Sequence, residues 1–262
     1  MTRLLSGVAL AAAALAGILF LPFSGLRVAA CLVAALAAYE YLGIVDPEHR
    51  GRDAVPVLTL VALVYWSFSD PGGQARPGVV GVVLLLLLGV GWAALEVVWR
   101  RFAVARVRAR LLAPLYLGMP LGMLAAVQVA GGRMATLLLI ASVVVSDSAQ
   151  YYSGRRFGRR PLAPKISPKK TIEGAVGGLV IGTTFMTVAG SWVFPAAGPG
   201  ALALLGAVVV VLGICGDLFE SRLKRAAGVK DSSALIPGHG GVLDRIDALL
   251  FAVPVYYVYL LS

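Results

Sequence analysis

Apolar residues in this chain fall in long unbroken stretches, separated by short polar breaks. Stretches of near-spanning length cover roughly 4–22, 25–45, 54–69, 78–99, 111–130, 133–153, 171–194, 200–219 and 242–261. A helix of about 20 apolar residues crosses a bilayer. The pattern therefore predicts an all-α, polytopic integral membrane protein with about nine transmembrane helices. The stretches are continuous rather than alternating, which disfavours a transmembrane β-barrel. The third, 54–69, is the shortest.

Composition agrees with this class. Hydrophobic residues make up 59% of the 262 and charged residues 14%, against about 25% charged in soluble domains. The two cysteines, Cys31 and Cys215, lie inside apolar stretches with no metal-ligand spacing, and read as small core residues.

The net charge is +10, and its distribution matters more than its sum. Arg50 and Arg52; Arg100, Arg101, Arg106, Arg108 and Arg110; Arg155, Arg156, Arg159, Arg160, Lys165, Lys169 and Lys170; and Arg222, Lys224, Arg225, Lys230 and Arg245 account for 19 of the 23 basic residues. All lie in alternate inter-span segments. The other segments carry only Arg27, Arg76 and Arg133, and Arg3 stands at the N-terminus. The positive-inside rule then places the basic segments and the N-terminus in the cytoplasm and the C-terminus outside. "RVAAC", ending at Cys31, resembles a lipoprotein cleavage site, but apolar sequence continues to Val45 and further spans follow.

Two regions are expected. Residues 1–130 hold five spans, read as a scaffold and dimer surface. Residues 131–262 form the catalytic membrane region, with cytoplasmic loops 154–170 and 220–241 that carry nearly all the unusual chemistry.

In "GICGDLFESRLKR", a continuing helix puts Asp217, Ser221 and Lys224 at i, i+4 and i+7 on one face, flanked by Arg225. An ionisable residue at that depth marks a site; the plainer reading is an interfacial charge paired with Lys224 or Arg225. In "HGGVLDRIDALL", Asp244 and Asp247 are three residues apart on one helix face. Such carboxylates repel unless a cation or water intervenes, although acidic residues at a helix start also complement its dipole. A carboxylate pair beside a third carboxylate suits Mg²⁺, which shares substrate phosphates. His239 reads as a ligand, a phosphate donor or a loop-structuring group; Gly240 and Gly241 would let phosphate approach backbone N–H groups.

The other loop reads "SDSAQYYSGRRFGRRPLAPKISPKKTIEGAVGG", with Asp147 late in the sixth span. Ser167-Pro168 suggests an N-cap followed by Pro at the first helical position. Lys169 and Lys170 would then oppose the helix dipole, a conflict that bound polyphosphate would remove. Carboxylates for a metal, lysines for phosphates and glycines for close approach, on one side of a membrane, imply phosphoryl or nucleotidyl transfer between a soluble polyphosphate and a lipid.

The run "SRLKRAAGVKDSSALIPGHGGVLDRID", Ser221–Asp247, resembles the C-terminal signature of the phosphatidate cytidylyltransferase (CDP-diacylglycerol synthase) family at Ser221, Lys224-Arg225, Lys230-Asp231, His239-Gly240-Gly241, Asp244-Arg245 and Asp247. "APKISPKKTIEGAVGG", Ala163–Gly178, resembles a second motif of that family. The likeness covers residues 140–262 well, and the first half only as a set of apolar spans. "SDSAQYY" departs from an expected Asp-Thr-Gly or Asp-Thr-Ala but keeps Asp147 and a hydroxyl at Ser148. The resemblance implies transfer of CMP from CTP to phosphatidic acid by an Mg²⁺-dependent homodimer in contact with membrane lipids, with no nucleic-acid partner. It makes Asp217 and Asp244 metal ligands. It puts Lys224, Arg225, Asp244, Asp247 and His239 in the catalytic group, and Asp147, Lys165, Ser167, Lys169, Lys170, Ser221, Lys230 and Asp231 in substrate binding. A second cation is left open.

Two other classes fit the sequence less well. A CDP-alcohol phosphotransferase needs a D-x-x-D-G-x-x-A-R string, which is absent. A transporter would place polar groups near the bilayer midplane, whereas the ionisable Glu40 and Glu96 lie near span ends. An ether-lipid synthase would use the same chemistry.

Overall fold

The computed structural model describes residues 2–69 and 110–262. The expected span at 78–99, together with Arg76, Glu96, Arg100, Arg101, Arg106 and Arg108, lies outside the described residues. The described elements are helices α1 (Thr2–Phe20), α2 (Phe23–Val45) and α3 (Arg50–Phe68), a π-helical turn (Pro114–Gly118), helix α4 (Met119–Phe157), strands β1 (Pro161–Ala163) and β2 (Ser167–Thr171), and helices α5 (Ile172–Val193), α6 (Pro199–Ala226) and α7 (Leu243–Leu261). The described residues are thus all-α apart from one short hairpin.

Among the described residues, four helical segments are long and apolar enough to cross a membrane: Phe23–Val45, Arg110–Phe157, Ile172–Val193 and Pro199–Ala226. The 48-residue Arg110–Phe157 segment covers two of the expected stretches. Gly132, at φ 77° and ψ −179°, breaks the helix between them. Such a left-handed φ suits glycine, which has no Cβ to clash. Helices α3 and α7 have 19 residues each and are interrupted by charge at their starts.

The chain forms two compact units. The first comprises Met1–Ala130 with Asp231–Arg245. Its helices α2 and α3 pack together, and α3 packs on the π-helical turn. Tyr41, Leu42, Val57, Val61, Tyr65 and Leu117 are buried there. Arg110 lies buried between two carboxylates, its Nη2 being 2.5 Å from both Asp46 Oδ2 and Asp53 Oδ2. His49 Nδ1 lies 3.0 Å from the other Asp46 oxygen. Burial alone would raise the Asp46 carboxyl, but hydrogen bonds and charge from Arg110 and His49 outweigh it and hold the group below the ordinary carboxylate range.

The second unit comprises Gly131–Lys230 with Ile246–Ser262. Helix α5 packs along α6, and Leu139, Met186, Leu202, Val209, Val253 and Tyr256 are buried. The Tyr256 hydroxyl donates to the Ala135 carbonyl at 2.8 Å, which satisfies a buried polar group. Val180, Val188, Trp192, Leu204 and Val258 are exposed on the outer faces, as lipid-facing apolar side chains must be. Cys215 is also exposed, on the outer side of α6, and Cys31 is only partly covered. The reading of both as core residues is corrected, because a lipid-facing helix side is as apolar as a core.

Candidate functional site

The hairpin β1–β2 precedes α5. The strands pair antiparallel, Pro161 opposite Thr171 and Ala163 opposite Ser167. Ser167 is therefore a strand residue, and the expected cap at Ser167-Pro168 is corrected. The cap is Thr171, whose hydroxyl accepts from the Gly174 N–H at 3.1 Å. A pre-proline residue favours extended backbone, which serves a strand as well as a cap, and the pairing with 161–163 decides. Lys169 and Lys170 then precede the helix, so the dipole conflict inferred for them does not arise. The first turn of α5 carries Glu173, the sign its dipole favours. Glu173 accepts from the Arg159 and Arg160 N–H groups at 3.0 and 3.2 Å, closing the loop onto the helix start.

Helix α6 runs through to Ala226, seven residues beyond the expected stretch. Asp217, Ser221 and Lys224 accordingly share a face. The Ser221 hydroxyl donates to Asp217 Oδ1 at 3.3 Å. Lys170 Nζ, from β2, lies 2.5 Å from Asp217 Oδ2. The ion-pair partner of Asp217 is thus Lys170, in place of the Lys224 or Arg225 of the plainer reading. Lys224 is buried and pairs with the fully buried Glu220 one turn earlier. Arg225 donates to the Val229 carbonyl at 3.0 Å and so shapes the chain leaving α6.

Asp147, on α4, and Asp247, on α7, share the electrostatic environment of Asp217. Asp147 senses Lys170 and Asp217; Asp247 senses Asp217, Asp147 and Lys224. Gln150 donates to Asp147 at 3.0 Å. Gly216 permits this closeness, since a Cβ there would overlap the Asp247 carbonyl oxygen. Three carboxylates thus lie near two lysines, one of which is paired to Glu220.

In the first unit, the segment 231–245 forms a second cluster. Asp244 Oδ2 accepts from the Ser232 N–H at 3.0 Å, the Gly241 N–H at 2.8 Å and the Ser232 hydroxyl at 2.9 Å. His239 Nδ1 lies 2.7 Å from the Ser6 hydroxyl oxygen, and that hydroxyl is also 3.0 Å from the Pro237 carbonyl. These contacts tie the loop at His239 to Ser6 of α1. Gly240 has φ 78°, and a Cβ on Gly241 would overlap Ser232 Oγ and Glu40 Oε2. These restraints account for the paired glycines locally. Lys165, Lys169, Arg225, Lys230 and Asp231 are exposed.

In the sequence Glu40 is only a charge near a span end. It is 3% exposed and accepts hydrogen bonds from Ser232, Ser233, Val242 and Leu243. Its signal was a carboxylate embedded in the apolar run of α2; its partners could not be read from the sequence.

Among the described residues, no three His, Cys, Asp or Glu side chains are gathered as a metal-binding group. The donors at hand are carboxylate oxygens with neighbouring lysines. They suit a hard cation that completes its shell with water and phosphate oxygens rather than a closed protein cage, so the residues fit Mg²⁺ on donor chemistry.

The phosphatidate cytidylyltransferase of Pseudomonas aeruginosa is 35% identical over 273 aligned residues, 97% of this chain and 94% of that protein. That of Haemophilus influenzae is 47% identical over 126 residues, 46% of this chain and 44% of that protein. YnbB of Escherichia coli K12, an uncharacterized protein, is 42% identical over 138 residues, 53% of this chain and 46% of that protein. The alignments thus span about half the length of the last two relatives and nearly all of the first. The model of the cytidylyltransferase family matches residues 1–262. The chain belongs to the cytidylyltransferase family.

Proposed function

We propose that this protein is a phosphatidate cytidylyltransferase. It transfers CMP from CTP to phosphatidic acid and releases CDP-diacylglycerol and pyrophosphate, a step of phospholipid biosynthesis. The observation that carries the reading is the match of the family model over residues 1–262, beside which Lys170 of the 163–178 motif pairs with Asp217, four residues before Ser221 on the same helix.

The phosphate of phosphatidic acid is already an anionic nucleophile. One of its oxygens attacks the α-phosphorus of CTP, the bond from that phosphorus to the bridging oxygen breaks, and pyrophosphate departs. No strong general base is needed. The difficulty is bringing two anions together, which positioning and neutralisation overcome. Lys165, Lys169, Lys170, Lys224 and Arg225 supply positive charge for CTP and lipid phosphates. Ser167, Ser221, Lys230, Asp231 and Asp147 belong to the substrate-binding set by motif position. His239, in the catalytic group by motif position, also contacts Ser6 from the 231–245 loop. By the family resemblance Asp217 and Asp244 would each be a ligand of Mg²⁺, and Asp247 would add a carboxylate. Bound Mg²⁺ supplies charge neutralisation on the departing pyrophosphate.

About nine spans, with the N-terminus and basic loops cytoplasmic and the C-terminus outside, agree with the charge distribution. Residues 1–130 then serve as scaffold and homodimer surface, and 131–262 as the catalytic region. Purified protein in detergent, given CTP labelled in its cytosine, phosphatidic acid and Mg²⁺, should produce lipid-extractable label that EDTA abolishes. Absence of label from folded protein, with ether-lipid phosphate also tried, would refute the reading.

A further inference from the structure

Glu40 sits in the apolar helix α2, yet all its hydrogen-bond partners come from a segment about 200 residues later. Oε1 accepts from the Ser233 hydroxyl at 2.7 Å and the Val242 N–H at 3.0 Å. Oε2 accepts from the Ser232 hydroxyl at 3.0 Å and the Leu243 N–H at 2.8 Å. A buried carboxylate is costly unless it is hydrogen-bonded; two amides, the Ser233 hydroxyl and the Ser232 hydroxyl hydrogen that is shared with Asp244 meet that requirement. The two amides are at the start of α7, where backbone N–H groups lack partners within their own helix. Glu40 therefore caps α7 from another helix, at the end whose dipole favours a negative charge.

The contact does not stop at the cap. Ser232 has one hydroxyl hydrogen, and its oxygen lies 3.0 Å from Glu40 Oε2 and 2.9 Å from Asp244 Oδ2. The serine is held between the two carboxylates, and its own N–H donates to Asp244 at 3.0 Å. Gly241 donates to the same Asp244 oxygen and has no room for a side chain against Glu40, whose Cδ would lie 2.6 Å from an added Cβ. Ser232 and Gly241, which donate to Asp244 Oδ2, thus both lie against Glu40.

We propose that Glu40 is a positioning residue for Asp244: by fixing Ser232, Gly241 and the first turn of α7, it presents the Asp244 carboxylate in one orientation to the cation and nucleotide phosphates. The inference rests on the assignment of Asp244 to the metal in the proposed function.

The test uses full-length protein in detergent, with Glu40→Gln, Ser232→Ala and Asp244→Asn. Glutamine turns one acceptor into an NH₂ group facing donors. Ser232→Ala removes the bridge and keeps Glu40 with its two amide bonds, so it carries the test if Glu40→Gln does not fold. Hydrogen exchange in EDTA reads the amides of Ser232, Gly241, Val242 and Leu243 independently of activity. Expected is faster exchange at these amides in Glu40→Gln, and at Ser232 and Gly241 in Ser232→Ala. The half-saturating Mg²⁺ concentration should rise by about 10–100-fold, the usual effect of losing an orienting group, while the KM for CTP at saturating Mg²⁺ changes little. Wild-type half-saturation in both variants, with Asp244→Asn inactive, would overturn the positioning role alone, whatever happened to thermal stability. A fully active Asp244→Asn with ordinary Mg²⁺ dependence would overturn the inference together with the metal assignment beneath it.

Discussion

The Lys170 ammonium lies 2.5 Å from Asp217 Oδ2, so a strand residue just before one helix is paired to a carboxylate on the next. This pair ties the hairpin motif to the helix that carries Ser221 and Lys224. Lys170→Ala should leave Asp217 without its counter-charge and lower kcat/KM by about 10–100-fold. Lys170→Arg should retain more activity, because it keeps the charge. Steady-state kinetics of both variants in detergent check this.

Asp217→Asn and Asp244→Asn should each lower turnover by about 100-fold or more at saturating Mg²⁺, since each removes a charge assigned to the metal. Near-wild-type turnover in either would remove that residue from the metal site. Mg²⁺ titrations of the two variants provide the check.

Arg110 is buried between Asp46 and Asp53. Arg110→Ala would leave two buried carboxylates without their shared cation and should destabilise by about 3–5 kcal/mol, as the breaking of buried pairs does. Thermal unfolding in detergent reads the loss. The fraction that remains folded should keep its KM for CTP.

The same pair sets a pH dependence. Asp46 is held below the ordinary carboxylate range by Arg110 and His49, against the opposing effect of burial. A lowered folded value means that its contribution is fully present above the unfolded value of about 3.9. The contribution is lost as the pH falls through the lower folded value. The melting temperature of the wild type should therefore drop on the acid side of about pH 4, and Asp46→Asn should show a shallower acid limb. Equal limbs would contradict the assignment.

Thr171 and not Ser167 caps α5. Thr171→Ala should destabilise by about 0.5–2 kcal/mol, the usual range for a lost cap. Ser167→Ala should have a smaller effect. Unfolding curves of the two variants compare them directly.

What could be read from the sequence follows the range of the interactions. The starts of α5 and α6 at Ile172 and Pro199 lie within one residue of the apolar stretches, because helix length and hydropathy are local. The shared face of Asp217 and Ser221 needed only the helical repeat. The partner of Asp217 was missed because Lys170 reaches it from a strand, and the Ser167-Pro168 signal fits a strand and a helix start equally. Glu40 was visible as a charge in an apolar helix, but Ser232 lies 192 residues away, and no spacing rule connects them.

The central assignment is nucleotidyl transfer to a lipid phosphate, and the most direct measurement follows the phosphorus atoms. Purified protein would be given phosphatidic acid, Mg²⁺ and CTP labelled at either the α- or the γ-phosphorus. The expected result is α-label in the lipid extract and γ-label in pyrophosphate, in equal amounts. γ-Label in the lipid, or no lipid label from folded protein, would contradict it.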